Sequence, residues 1–131
     1  MSLVVDASMV VAALVDSGQH GEWATDQMRG ERLAAPHLLH AEVANVLRRS
    51  ELAGDISGDV AGLAYSDLCN LAVDLYPFEP FAVRVWELRR TITAYDAWYV
   101  ALAESMDASV ATLDIRLAAA PGPECGFVIP S

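Results

Sequence analysis

Apolar positions along the chain repeat at two different periods. Ser2-Leu3-Val4-Val5 is a short apolar run that ends on Asp6 and passes into a longer apolar stretch, Met9 to Val15. The short run reads as a strand buried on both faces of a parallel sheet, the longer one as a helix. Asp16-Ser17-Gly18 breaks that helix, and a second runs from about His20 to Arg29, with Trp23 and Met28 as core positions and Gly30 as its stop. Arg32 to Ala35 is another β-run, closed by Pro36. From Leu38 to Arg49 the period becomes helical, with Leu39, Val43, Val46 and Leu47 on one stripe and Gly54 beyond the end. Ser57 opens a helix carrying Val60, Leu63, Ala64, Leu68 and Leu71, and Ala72 to Leu75 reads as a strand. Pro80 to Ile92 has the three-and-four spacing of a helix in Val83, Trp86, Glu87 and Arg90. Thr93 begins the next helix, which runs through Ala103; Ser109 to Leu113 and Phe127 to Ile129 are strands. Strands alternating with helices predict an α/β layered fold around a mainly parallel sheet. At 131 residues without repeat or linker, one domain spanning 1–131 is expected.

In such a sheet, ligands collect at the carboxyl ends of the strands. Asp6 and Asp114 each follow a β-run and precede a helix, so both belong at that edge, with Ser8 read as the N-cap of the first helix. Glu42 lies about 60° round its helix from Leu39. Its neighbours at three and four residues, Leu38, Leu39, Asn45 and Val46, include no base, so a helical ion pair does not account for it. Asp96 has an ordinary explanation, because Thr93-x-x-Asp96 is a capping box by itself. Spacing alone ranks that role above chemistry. Asp114 divides evenly between chemistry and a local role as N-cap or partner of Arg116. Should the four converge, two carboxylates about 4 Å apart repel by roughly 4 kcal/mol at an effective dielectric near 20, and a cation resolves the conflict. All-oxygen ligation suits Mg²⁺ or Mn²⁺. Ser8 and Thr112 offer hydroxyls that can hold metal-bound water, beside their local roles in capping and strand packing.

Composition changes this picture in two respects. A hydrophobic share of 54% leaves apolar surface over, which favours self-association. The net charge of −10 arises from 18 acids and 8 bases, every base an arginine. That argues against gripping nucleic acid by bulk electrostatics, while leaving open phosphate chemistry through bound cations. Cys69 and Cys125 have no metal-site or disulfide spacing, and Cys69, between Leu68 and Leu71, reads as core. No basic leader precedes the first strand and no run reaches the roughly 20 apolar residues of a membrane span, so a cytoplasmic protein is expected.

Asp6-Ala7-Ser8, Ala41-Glu42-Val43-Ala44-Asn45, Tyr95-Asp96-Ala97-Trp98-Tyr99-Val100-Ala101-Leu102-Ala103 and Ala111-Thr112-Leu113-Asp114, in this order and spacing, resemble the PIN domain and specifically its VapC-type toxins. The resemblance implies a three-layer sandwich of helices around a mainly parallel sheet. It also implies a metal-dependent endoribonuclease whose catalytic and metal-binding quartet falls on Asp6, Glu42, Asp96 and Asp114. With Mg²⁺, or Mn²⁺ in its place, water would cleave RNA and leave a 5′-phosphate. A cognate VapB-type antitoxin would insert a basic side chain into the acidic pocket, and the chain would form a homodimer. For RNA contact the candidates are Arg48, Arg49 and Arg116, with Arg89 and Arg90 behind them. Each also reads as a solvated helix residue.

Other readings fit less. Haloacid-dehalogenase-type phosphatases and receiver domains share the acid after the first strand but use a lysine this chain lacks, and the Asp-x-Asp pair of a Toprim nuclease does not occur. There is no GxGxxG or phosphate-binding loop. His37-x-x-His40 lacks HExxH order. Tyr95, Trp98 and Tyr99 flank Asp96 and can stack on bases, although core packing is expected of Trp98. The alternative from another class is a catalytically inert PIN-like module that binds a protein partner.

Overall fold

The computed structural model describes residues 1–131. Five strands, β1 (Ser2–Val5), β2 (Arg32–Pro36), β3 (Val73–Tyr76), β4 (Ser109–Ala111) and β5 (Phe127–Val128), form one all-parallel sheet in the order β3-β2-β1-β4-β5. The central strands are the most apolar, as burial on both faces requires: Leu3, Val4 and Val5 of β1 and Leu33, Ala34 and Ala35 of β2 are all buried. Edge strand β3 carries the exposed Asp74, which pairs with Arg32. The chain moves outward from β1 to β2 and β3, then returns to lay β4 against the other side of β1. The strand order therefore reverses between β1 and β4. A crevice at that switch point is where open α/β sheets bind ligands.

Seven helices cover the sheet: α1 (Ala7–Val15), α2 (Gln19–Met28), α3 (Leu39–Leu52), α4 (Gly58–Cys69), α5 (Ala82–Glu87), α6 (Ala94–Met106) and α7 (Ile115–Ala119). Parallel strands joined by right-handed crossovers put α1 to α4 on one face and α5 to α7 on the other, because the direction of travel reverses after β3. The result is the three-layer sandwich expected. Met9, Val10, Leu39, Val43, Leu47, Ala64 and Leu68 join the sheet in the main core, and Val85, Leu88, Val100 and Leu117 form a smaller cluster between α5, α6 and α7. No helix is long and apolar enough to cross a membrane.

Several local expectations are corrected. The first helix starts at Ala7, capped by Asp6 instead of Ser8: the Asp6 side chain accepts from the Met9 N–H. Strand β4 stops at Ala111, because the Asp114 N–H turns back to the Thr112 hydroxyl. The helix read over Pro80 to Ile92 is a 3₁₀ turn, Glu79–Phe81, followed by α5 alone. The β-branched run Thr91-Ile92-Thr93 disfavours its continuation. Val83 and Trp86 consequently face solvent, at 76% and 67% exposure. Cys69 is exposed at the end of α4, where Leu68 takes the buried position. Trp98 is half-buried and meets Phe78 edge to face, with ring centroids 5.3 Å apart.

The far end of α6 is anchored by charge. Arg84 Nε and Nη2 donate to both oxygens of Glu104 at 2.7 and 3.0 Å, Nη2 also reaches the Gly122 carbonyl at 3.0 Å, and the Glu124 N–H donates to Glu104 Oε2 at 2.7 Å. Burial alone would raise the Glu104 pKa, but its bonds from Arg84 and the Glu124 amide lower it overall. We expect Arg84→Ala to destabilise the fold by about 1–3 kcal/mol, measured by chemical denaturation. The double change Arg84→Ala with Glu104→Ala should cost less than the sum of the singles, and strict additivity would show that the pair is not coupled.

Candidate active site at the carboxyl edge of the sheet

Asp6 stands at the end of β1, at the switch point, and is buried to 7% exposure. A carboxylate in that position must be satisfied by hydrogen bonds. Oδ1 accepts from Ser8 Oγ at 2.6 Å and from the Met9 N–H at 3.1 Å, and Oδ2 accepts from the Thr112 hydroxyl. The two hydroxyls in turn accept from β4's exit: Leu113 N–H donates to Ser8 Oγ at 3.0 Å and Asp114 N–H to Thr112 Oγ1 at 2.9 Å. A hydroxyl has one proton. Those of Ser8 and Thr112 are engaged by Asp6, so both residues orient the carboxylate.

The other three acids reach this edge from separate helices. Glu42 is half-buried near the start of α3, and its Oε1 accepts from the phenol of Tyr99 at 2.7 Å. Tyr99 comes from α6, one turn after Asp96, and is itself 1% exposed. Asp96 is half-buried in the first turn of α6, and Thr93 caps that helix by accepting from the Asp96 N–H at 3.1 Å. Asp114 is exposed and caps α7, accepting from the Arg116 and Leu117 N–H groups at 3.0 and 3.2 Å. The cap anticipated for Asp114 thus exists, whereas the side-chain ion pair with Arg116 does not form. Asp96 and Asp114 line one cavity of about 550 Å³, together with Thr91, Thr93, Arg89, Arg90 and Arg116.

Electrostatically the four acids form one group. Burial raises the Asp6 pKa, the charge of Asp114 adds to the rise, and the bonds from Ser8, Thr112 and Met9 oppose it. Burial likewise raises Glu42 against the Tyr99 bond, with Asp96 and Asp6 adding repulsion. Asp96 is raised by burial and then by Asp114 and Asp6. The Tyr99 phenol is pushed well up by burial and by its bond to Glu42, which keeps it a donor. No arginine or histidine side chain forms an ion pair with any of the four. As the side chains stand, no three acids, histidines or cysteines are close enough to share one ion.

The remaining candidates separate by position. Arg116 lies in the cavity with Asp96 and Asp114, as do Arg89 and Arg90. Arg48 lines a different groove, between α3 and α4, with Glu51 and Tyr65, and Arg49 sits in the last turn of α3. His37 is exposed and His40 half-buried, with no further ligand near them. Tyr95 is exposed. Tyr99, expected from the sequence only as an aromatic beside Asp96, is buried and bonds Glu42 instead of presenting its ring for stacking. The signal for that role was its position three residues after Asp96, on the same side of the helix.

Comparison with known proteins agrees with this architecture. A family model described as PIN domain matches residues 3–123. Ribonuclease VapC1 of Mycobacterium tuberculosis is 43% identical over 123 residues, covering 93% of this chain and 92% of that protein. Ribonuclease VapC9 of the same organism is 37% identical over 127 residues, 97% of each. Among solved structures, a Pyrobaculum aerophilum protein superposes with a TM-score of 0.72 at 23% identity, over 97% of this chain and 83% of that one. VapBC2 from Rickettsia felis, bound to a DNA fragment from its promoter, gives a TM-score of 0.71 at 13% identity over 100% of both chains. At those identities the two structures establish the fold, while the family match and the closer sequences establish kinship. With its five parallel strands and an acid at the end of β1, this chain belongs to the PIN domain family and, within it, to the VapC proteins.

Proposed function

We propose that this chain is a metal-dependent endoribonuclease toxin that acts in the cytoplasm and is restrained by a VapB-type antitoxin. The observation that carries the reading is a buried Asp6 held by three hydrogen bonds at the switch point, inside a group of acids that no cation on the chain neutralises. Relatives named as ribonucleases and the likeness to VapBC structures support it.

Asp6, Glu42, Asp96 and Asp114 would hold Mg²⁺, with Mn²⁺ able to substitute. The donor set suits a hard divalent ion, being entirely oxygen, and burial with mutual repulsion raises the pKa of three of its members. When bound, the ion supplies positive charge for the entering and leaving oxygens of a phosphodiester displacement by water, which leaves a 5′-phosphate. Asp6 is the rigid member, since three donors hold its two oxygens. Tyr99 orients Glu42 through Oε1 and leaves Oε2 available to bind or to take a proton. Asp96 and Asp114 open onto the cavity, where a strand can approach. The four acids gathered at the sheet edge would attract a basic side chain of the antitoxin. Exposed Val83, Trp86 and Tyr95 supply apolar surface for a homodimer.

The antitoxin-free chain should cut a pool of structured RNAs into discrete fragments in millimolar Mn²⁺, and a chelator should stop it. Asp96→Asn should slow cleavage by about two orders of magnitude or more. A folded native chain that shows neither cleavage nor a Mn²⁺-dependent rise in melting temperature is the inert interaction module instead.

The raised carboxyls also set a pH dependence. A folded-state pKa above the unfolded one means that the native chain binds more protons, so the stability contribution is fully present below roughly pH 4 and is lost as pH rises through the raised values. Metal-free Asp96→Asn should therefore melt above the native chain at about pH 7, with the gap closing toward pH 4. A gap that widens on acidification refutes the assignment. Tyr99→Phe removes the donor to a half-buried carboxylate, so it should destabilise the metal-free chain by about 1–3 kcal/mol and raise the Mn²⁺ concentration for half-maximal cleavage about 10–100-fold. An unaltered Mn²⁺ requirement would show that the phenol does not position Glu42.

A further inference from the structure

The eight arginines are the only strongly basic side chains on a chain of net charge −10, so how each is engaged is informative. Arg29 pairs with Asp26 at 3.2 Å, Arg32 with Asp74 at 3.0 Å and Arg84 with Glu104 at 2.7 Å. Arg89, Arg90 and Arg116 pair with no carboxylate, although they line the same cavity as Asp96 and Asp114. Three arginines and two aspartates thus line one cavity of about 550 Å³ without forming an ion pair among themselves.

These cations are placed by the fold. Arg89 and Arg90 leave the turn after α5, which the buried Leu88 pins to the smaller core. The Arg89 guanidinium lies over the Trp86 ring, 4.5 Å from its centroid, and Nη1 donates to the Trp86 carbonyl at 2.8 Å. Arg116 comes from the first turn of α7, where its backbone N–H is bound by Asp114. Arg48 and Arg49 also pair with no carboxylate, but Arg48 lines a groove that contains none of the four acids, and Arg49 at the end of α3 has an adequate local role against the helix dipole.

We propose that Arg89, Arg90 and Arg116 bind the phosphates flanking the scissile bond of a single-stranded RNA segment, which runs over the α5–α6 turn and the start of α7 and not along α3. The inference rests on the ribonuclease reading and adds the path of the substrate. A polyanion approaching an acidic protein needs local countercharge where its phosphates lie, and this cavity holds the unpaired cations nearest the acids. Because the arginines lie within a concavity, a splayed strand reaches them more readily than a regular duplex does.

The test is binding of a fluorescent mixed-sequence single-stranded RNA in Mg²⁺ across a salt series, using the Asp96→Asn chain so that the RNA stays intact. Adding Arg89→Gln, Arg90→Gln and Arg116→Gln should make the slope of log affinity against log salt shallower by about 2 and weaken binding at low salt at least about tenfold. Arg48→Gln with Arg49→Gln should change neither. With Asp96 restored, the triple variant should raise KM about tenfold with kcat nearly unchanged, and it should keep the Mn²⁺-dependent rise in melting temperature. If the native chain cleaves but the triple variant matches it in slope and KM, the arginine path is wrong and the ribonuclease reading stands. Loss of slope in the Arg48 and Arg49 variant instead would move the RNA to α3 and overturn the inference. A chain that neither binds nor cleaves RNA overturns both readings.

Discussion

Burial of one carboxylate governs the architecture of the site. Asp6 ends the central strand at 7% exposure, where an unsatisfied charge would be prohibitive, and its solution draws on both sides of the switch point. Met9 and Ser8 donate from α1, while Thr112 donates from the residue after β4. The same hydroxyls receive the N–H groups of Leu113 and Asp114. Holding Asp6 therefore also shapes the turn that presents Asp114. Disturbing any member would leave a buried polar group unpaired at the junction of β1 and β4.

Around that fixed point the charges are left in conflict. Three helices and one strand end bring four acids into mutual repulsion, and the arginines nearest them stay apart from the carboxylates. Elsewhere on the chain arginines do pair with acids, as Arg84 does with both oxygens of Glu104. Beside the acids, by contrast, Arg89, Arg90 and Arg116 form no such pair. An acidic centre beside guanidiniums that pair with no carboxylate is suited to a cation and a polyanion together, so the net charge of −10 does not by itself argue against the proposed substrate.

Much of this was legible in the chain itself, for reasons that differ by element. The strand–acid–helix pattern located Asp6 and Asp114 at the sheet edge, and the run of apolar residues around Val4 and Ala34 identified the buried strands. Asp96 shows a limit of local reasoning. The Thr93 cap is present and the Asp96 carboxyl also faces the other acids, so the two roles coexist instead of competing. Periodicity misled between Pro80 and Ile92, where the spacing is helical but the helix is short and Trp86 remains outside. It misled again at Cys69, one position past the face that Leu68 buries.

The sequence by itself determined the alternation of strands and helices, and with it the edge at which the acids gather, because those features follow from residue periods and turn chemistry within a few neighbours. Only the tertiary structure decided which groups meet. That Tyr99 holds Glu42 across 57 residues, that Thr112 holds Asp6 across 106, and that Arg116 shares a cavity with Arg89 and Arg90 while Arg48 does not, all depend on the strand order β3-β2-β1-β4-β5. Pairings of that kind are set by the packing of distant segments, and the physical reason they are invisible in the chain is that a hydrogen bond depends on separation in space, which sequence spacing does not encode beyond a turn or two of helix.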